Sequence, residues 1–419
     1  MSKRAHQQDP LASEAESSHT KRARSDKEQQ HASDCTDENC TGCAVGEVEI
    51  SFVRKDAEGQ SVEGSEPTAQ ELLAMAIDEA AHSDATEDDQ GHHKQVVRRL
   101  FDMTIEKFQK DEPDNRVGYA TCLVELGKAL QVEESISEGL EILRGELKTK
   151  RKEETSEENV DDILLKSAGA AITLAASKRK SQEAYFAERE KELQNENGEI
   201  TDEVAFEELL QKQEQVSKDE IKLYKEAIEY TTDAFAILKF EDESNVKKAQ
   251  TVLHELRAYG QLLSNPAHKE HSETVLHTVI DLIKKFPAYK ENDELLTIWA
   301  ACILHTEKFL EEDDVKGKKA VFQKAEELLE QSNTLHKKKH GKENAWVWEM
   351  FAMLRINQSN MAEDEDEALD LYDEAIHAFK KAHEMRPDDQ RLGNMVNMLE
   401  GLQAQAAADD EEEEEEEED

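Results

Sequence analysis

Along most of the chain, apolar residues recur at the three- and four-residue steps that give a helix one apolar face. Val97, Phe101, Ile105 and Phe108 form one such stripe. Val160, Ile163, Leu164, Ala168, Ala171, Ile172 and Ala175 form a second. Ile221, Tyr224, Ile228, Phe235 and Leu238 make a third, and Leu369, Tyr372, Ile376 and Phe379 a fourth. Pro67 and Thr68 predict a helix start, because Glu71 stands three residues after Thr68 as in a capping box. The stretch 199–240 has no Pro or Gly. It predicts one long helix or two helices parted near Ser217. Strict alternation occurs at Glu47-Val48-Glu49-Ile50-Ser51-Phe52-Val53. That run reads as a lone strand or docking segment, marginal without a partner edge.

Prolines punctuate the helical stretches. Pro113, Pro287 and Pro387 each follow an amphipathic segment, and Pro266 stands between two others. The run Ala368–Ala382, ending in Arg386-Pro387-Asp388, has the form of the second helix of a tetratricopeptide (TPR) repeat. Pro287 to Pro387 is 100 residues, near three units of about 34. Pro113 to Pro287 is 174, near five such units if insertions are allowed. The expected fold is therefore all-α, a TPR/HEAT-like helical repeat solenoid, with an irregular helical bundle as the alternative. Polar, aperiodic residues 1–66 are expected to be disordered. Residues 67–195 and 196–404 are expected to form N-terminal and C-terminal helical repeats, and 405–419 an acidic tail.

Composition supports this picture. Glycine (16) and proline (6) are scarce among 419 residues and aromatics are 5%, which disfavours β-sandwich, barrel and Rossmann-type sheets. No apolar run approaches the ~18 residues of a membrane span, and no secretory signal is legible. Five cysteines in such a chain imply reduced thiols. Net charge is -45, and its distribution matters. The stretch Asp409–Asp419 is wholly acidic, and residues 1–66 hold 8 basic and 14 acidic residues, so 28 excess negative charges fall on 67–408. The body itself is acidic. It repels phosphate backbones and anionic lipid, so no direct nucleic acid and no membrane is expected as a ligand, and it suits partners with basic faces.

Candidate chemistry is sparse. Phosphate-cradling Gly-rich loops, dinucleotide fingerprints and nucleophile elbows are absent. His82-Ser83-Asp84 matches a fragment of an iron facial triad, but on a predicted helix end rather than a jelly roll. The chain is therefore read as not an enzyme and without a resident cofactor. One cluster, His31, Cys35, Cys40 and Cys43, has the ligand types for tetrahedral zinc, although it contains a single Cys-x-x-Cys pair. Otherwise these are ordinary thiols. Cys122 and Cys302 sit in apolar stretches and read as small core residues. Lys3 and Arg4, then Lys21, Arg22 and Arg24, flank a 16-residue spacer. They read as a bipartite-like nuclear localisation signal for an import carrier, in the nucleus and with a cytoplasmic phase. Lys337, Lys338 and Lys339, between His336 and His340, form a second basic island: a solvated helix end, or a contact for an acidic partner. Trp346 and Trp348 point to different helix faces. One packs between repeats; the other is a partner anchor or is buried by a neighbouring repeat. Trp299 reads as core.

The Met-Ser-Lys-Arg start, the basic-then-acidic N-terminal segment, the run Lys318–Leu329, the Trp346/Trp348 helix and the Ala368–Ala382 helix together resemble the fungal enhancer of translation termination family. These are nuclear proteins also described as negative regulators of a prolyl-hydroxylase-like dioxygenase. The resemblance spans 70–405 in layout and 316–400 in detail. The Cys-rich segment and acidic tail lie outside its pattern. It implies a non-catalytic helical-repeat regulator that binds a 2-oxoglutarate- and iron-dependent dioxygenase, the iron belonging to that partner. It also implies an influence on translation termination and hypoxic gene expression. The acidic body and tail allow one alternative, a TPR-type histone chaperone with histones as partners.

Overall fold

Thr68 and Glu71 form the reciprocal cap that their spacing predicts. The Thr68 hydroxyl accepts from the Glu71 amide at 3.2 Å, and the Glu71 carboxylate accepts from the Thr68 amide at 2.8 Å. They open α1 (Ala69–Ala81), the first helix in a computed structural model. The structure describes residues 54–55, 61–62, 66–81, 90–152, 160–195, 198–311 and 313–401. Helix dominates them, as the periodicity predicts.

The chain forms two compact units, Met1–Gly118 and Tyr119–Asp419. In the first, α1 buries Ala69, Leu72, Leu73 and Ala76, and α2 (Gln90–Asp111) buries Val97, Leu100, Phe101 and Phe108; the two helices pack together. Within the segment expected to be disordered, β1 (Arg54–Lys55) and β2 (Ser61–Val62) pair as a short antiparallel ladder. The alternating run 47–53 lies outside the described residues.

The units part near the start of α3 (Arg116–Leu130), not between residues 195 and 196 as expected. At 195 the chain makes only a turn, closed by a Gln194–Ile200 bridge. The second unit continues through α4 (Glu133–Lys152), α5 (Val160–Glu192), α6 (Glu203–Gln213), α7 (Lys218–Ile237), α8 (Glu243–Leu262) and α9 (Lys269–Ile283). It ends with α10 (Asp293–Thr306), α11 (Val315–His340), α12 (Ala345–Ser359), α13 (Glu365–Met385) and a helical stretch at 390–401. Each helix packs mainly on near neighbours in the chain: α4 on α5, α5 on α7 and α8, then α8 on α9 through to α12 on α13. That is the nearest-neighbour logic of a helical-repeat protein. Gly139 permits one close approach, because a Cβ there would lie 2.7 Å from the Ala120 carbonyl oxygen.

Repeat length departs from the TPR period. Between Pro287 and Pro387 lie four helices, α10–α13, hence two helix pairs rather than three units of about 34 residues. The 26-residue α11 accounts for much of the extra length. The 199–240 stretch is two helices, and Ser217 is the cap that parts them: its hydroxyl accepts from the Glu220 amide at 3.2 Å. Helix α13 buries Ala375, Ile376, Ala378, Phe379 and Ala382, close to the expected stripe.

The deepest polar feature joins three helices. Arg179 of α5 and Glu220 of α7 are 1% and 0% exposed. Arg179 donates Nε to Glu220 Oε1 and Nη2 to Oε2, both at 2.8 Å, and the Tyr259 hydroxyl of α8 donates to Oε1 at 2.9 Å. Burial, then the Glu220 carboxylate, pushes the Tyr259 hydroxyl far above its ordinary range. A second set repeats the scheme at the flank. Arg144 of α4 grips Glu226 of α7 through both nitrogens of its fork, with Nε to Oε1 at 2.7 Å, and Tyr230 donates to the same oxygen at 2.7 Å. Truncating one partner of a buried pair strands the other charge, at a cost of about 3–5 kcal/mol. Arg179→Ala is therefore expected to lower the stability of the second unit by about that amount. Arg179→Met with Glu220→Leu is expected to recover most of it, as read by urea denaturation.

Candidate protein-binding surface

Lys337–Lys339 belong to the last turn of α11, where the helix dipole favours cations. The helix closes on Gly341, whose φ of 71° is left-handed and whose amide donates to the Lys337 carbonyl at 2.9 Å. The basic island is thus helical. Lys337 lies 3.5 Å from Glu343, while Lys338 and Lys339 are exposed and make no ion pair among the described residues. Glu343 also accepts Lys381 of α13 at 2.6 Å, and that hydrogen bond holds its carboxyl below the usual range.

Asn344 caps α12, and the next residues place the two tryptophans on different neighbours. Trp346 rests on α8: its ring centroid lies 5.0 Å from His254, and the Arg257 guanidinium stands 5.2 Å over it. Trp348 faces α13, with Lys381 Nζ 3.7 Å over its ring and Phe351 beside it. Both are half-buried and packed inside the chain. Each ring thus has neighbours within the chain and keeps part of its surface exposed. Trp299 is also half-buried, at the edge of the Leu296–Leu329 cluster, with Lys284 over its face. Cys122 and Cys302 are fully buried, and burial pushes the Cys302 thiol up to about 12.

Behind Trp346 lies a polar neighbourhood. Burial lowers the Arg257 pKa, and its Nε has no hydrogen-bond partner among the described residues. His305 of α10 is buried beside Phe309. Burial first, then Lys308 and Arg257, depresses its pKa to about 4.

One surface feature was not foreseen. Leu369, the first member of the predicted α13 stripe, is 50% exposed. Its partner helix ends nearby, where Ser359 of α12 donates its hydroxyl to the Ala368 carbonyl at 2.8 Å. Glu365, Asp366, Glu367 and Asp370 are also exposed, and Glu365 and Asp366, four and three residues before Leu369, share its helix face. The result is an exposed apolar residue with Glu365 and Asp366 beside it on one face, set in the strongly acidic first turns of α13. The sequence shows this as Glu363-Asp364-Glu365-Asp366-Glu367 directly before the stripe. A groove in the same unit has an apolar floor of Val124, Leu143, Leu165, Ala170 and Val252. Its charged rim is largely self-paired, through Asp162 with Lys166 and Lys248 and through Glu255 with Lys128.

The import residues Lys3, Arg4, Lys21, Arg22 and Arg24, the cluster His31, Cys35, Cys40 and Cys43, His82-Ser83-Asp84 and the acidic tail lie outside the described residues. No described helix is long and apolar enough to cross a membrane.

Three outcomes follow from this packing. Trp346→Ala is expected to destabilise the chain by about 2–3 kcal/mol, somewhat below a fully buried tryptophan. Lys338→Ala with Lys339→Ala should change stability by no more than about 0.5 kcal/mol, as thermal melting would show. His305, depressed below its unfolded value of 6.5, contributes stability that is complete above pH 6.5. As pH falls toward 4 the unfolded chain takes up a proton that the folded site resists, so stability drops by about 3 kcal/mol over that window. Chemical denaturation at a series of pH values should show this slope in the wild type and lose about that much of it in His305→Gln.

No protein-family profile matches the chain, and neither does any curated protein. Among solved structures, that of the S. pombe nuclear import adaptor Nro1 is similar at 13% identity and a TM-score of 0.38, covering 79% of this chain and 99% of that one. A second Nro1 structure, described as the hypoxic regulator of sterol synthesis that is a nuclear import adaptor, matches at the same identity and score over 79% and 94%. A circular tandem repeat protein with novel repeat topology matches at 16% identity and a TM-score of 0.32, over 80% and 77%. Likeness at this level carries no functional argument.

Proposed function

We propose that this chain is a non-catalytic nuclear adaptor that holds a protein partner with a basic face. The observation that supports it most is the exposed Leu369 with the exposed carboxylates Glu365 and Asp366 four and three residues before it on the same face of α13. A half-exposed leucine supplies apolar contact area, and the carboxylates beside it steer and orient a basic partner. The arginines of the second unit favour the same reading. Arg144, Arg179, Arg355, Arg386 and Arg391 are each paired with a carboxylate between chain segments, so the acids in excess of these pairs remain uncompensated. In the finer form drawn from the family resemblance, the partner is a 2-oxoglutarate-dependent dioxygenase, and the pair influences translation termination and hypoxic gene expression. Lys3, Arg4, Lys21, Arg22 and Arg24 would engage an import carrier. The charge of the body and tail keeps one second reading, a histone chaperone.

Affinity purification of the full chain from nuclear extract, followed by mass spectrometry, separates these readings. A dioxygenase is expected in the wild-type eluate. It should be lost when Leu369→Ala is combined with Glu365→Gln and Asp366→Asn, all exposed positions where folding is little affected. Salt-sensitive recovery of histones without a dioxygenase would sink the first reading in favour of the second. Undiminished capture by the variant would remove α13 as the docking face.

A further inference from the structure

Ser332, His336 and His340 stand four residues apart on α11 and so share one face of the helix. They run from the core to the surface: Ser332 is buried, His336 half-buried and His340 exposed. Opposite them is Asp293, the first residue of α10 and itself buried. Its carboxylate lies 2.6 Å from His336 Nδ1, and the His336 and His340 rings are 4.4 Å apart between centroids. One ligand atom from each of Asp293, His336 and His340 falls within 4.8 Å of the others.

The junction is held from behind. The Asp293 carbonyl accepts the Ser332 hydroxyl at 2.7 Å and the Thr297 hydroxyl at 2.9 Å, and those two hydroxyls lie 2.7 Å apart. The Asn292 side chain caps the same helix start by accepting from Leu295 at 3.1 Å. Asp293 is thus fixed at its backbone while its carboxylate faces the two imidazoles.

We propose that Asp293, His336 and His340 form a divalent transition-metal site, with zinc the best fit. Two imidazole nitrogens and one carboxylate oxygen are borderline ligands that zinc takes at about 2.0–2.2 Å, with a fourth tetrahedral position left for water. Ligand atoms of such a centre lie about 3.3 Å apart, so the Asp293–His336 hydrogen bond would open by a fraction of an ångström. Exposure of His340 leaves an entry path. Lys337–Lys339 in the same turn oppose a cation, which sets the affinity below that of a closed structural site. A bound ion would tie the start of α10 to the last turn of α11 and fix the basic island beside it.

Zinc binding to the untagged full chain tests this. The chain carries Cys35→Ser, Cys40→Ser and Cys43→Ser, so that the upstream thiols contribute nothing. After chelator stripping, equilibrium dialysis against zinc chloride in a non-coordinating buffer is expected to give one saturable ion per chain and a higher Tm. His340→Ala, at an exposed position that leaves the Asp293–His336 bond intact, should weaken binding at least ~10-fold and abolish the Tm rise. Unchanged zinc binding in His340→Ala, or only unsaturable uptake in the parent, would overturn the site.

Discussion

The second unit depends most on a single buried charge. Glu220 enters α7 at its third position, wholly removed from water, and three groups from two other helices answer it. An unanswered carboxylate there would be prohibitive. Arg179 and Tyr259 must therefore reach it, and that requirement sets how α5, α7 and α8 meet. Apolar contacts alone specify such a junction weakly, because helices with alanine-rich faces can slide past one another. A two-pronged arginine–carboxylate pair fixes both register and rotation. That the pair confers specificity here rather than net stability is consistent with its recovery being expected from an apolar pair of similar volume.

The same device recurs at other helix junctions. Arg144 joins α4 to α7, Arg355 lies between Glu326 of α11 and Glu374 of α13, and Arg386 and Arg391 converge on Glu349 of α12. With 37% hydrophobic residues and 5% aromatics, this chain builds successive small cores and links several of them by ion pairs. A consequence reaches the surface. Each such arginine is matched by a carboxylate, so the pairs leave the excess negative charge of the composition to the surface.

Much of this was legible in the sequence. Three-four periodicity marked the helices, Thr68 and Ser217 marked starts, and prolines marked ends, because these signals act within one or two turns. What stayed hidden was set by tertiary contact. Arg179 sits among Lys178, Lys180 and Ser181 and reads as part of a solvated basic face; only the approach of α7 and α8 buries it. Glu220 falls beside Ile221 of the predicted stripe, and the buried face proves wider than that stripe: with Tyr224, Phe235 and Leu238 it takes in Glu220, Leu223, Ala227 and Thr231. Leu369 has correct spacing but lies where its partner helix is ending. The tryptophan pair was legible as facing two ways, and only the neighbours reveal that Arg257 and Lys381 lie against their faces. Repeat length misled because prolines mark helix ends without counting helices between them.

Hydrogen exchange read by mass spectrometry tests most directly whether the Arg179–Glu220–Tyr259 junction organises the second unit. In the wild type, amides of α5, α7 and α8 around the junction should be among the slowest to exchange. In Arg179→Ala they should exchange markedly faster, while those of α12 and α13, held by their own pairs, keep wild-type protection. Unchanged protection at α5–α8, or an equal loss across every helix of the unit, would contradict a junction that acts through its nearest neighbours.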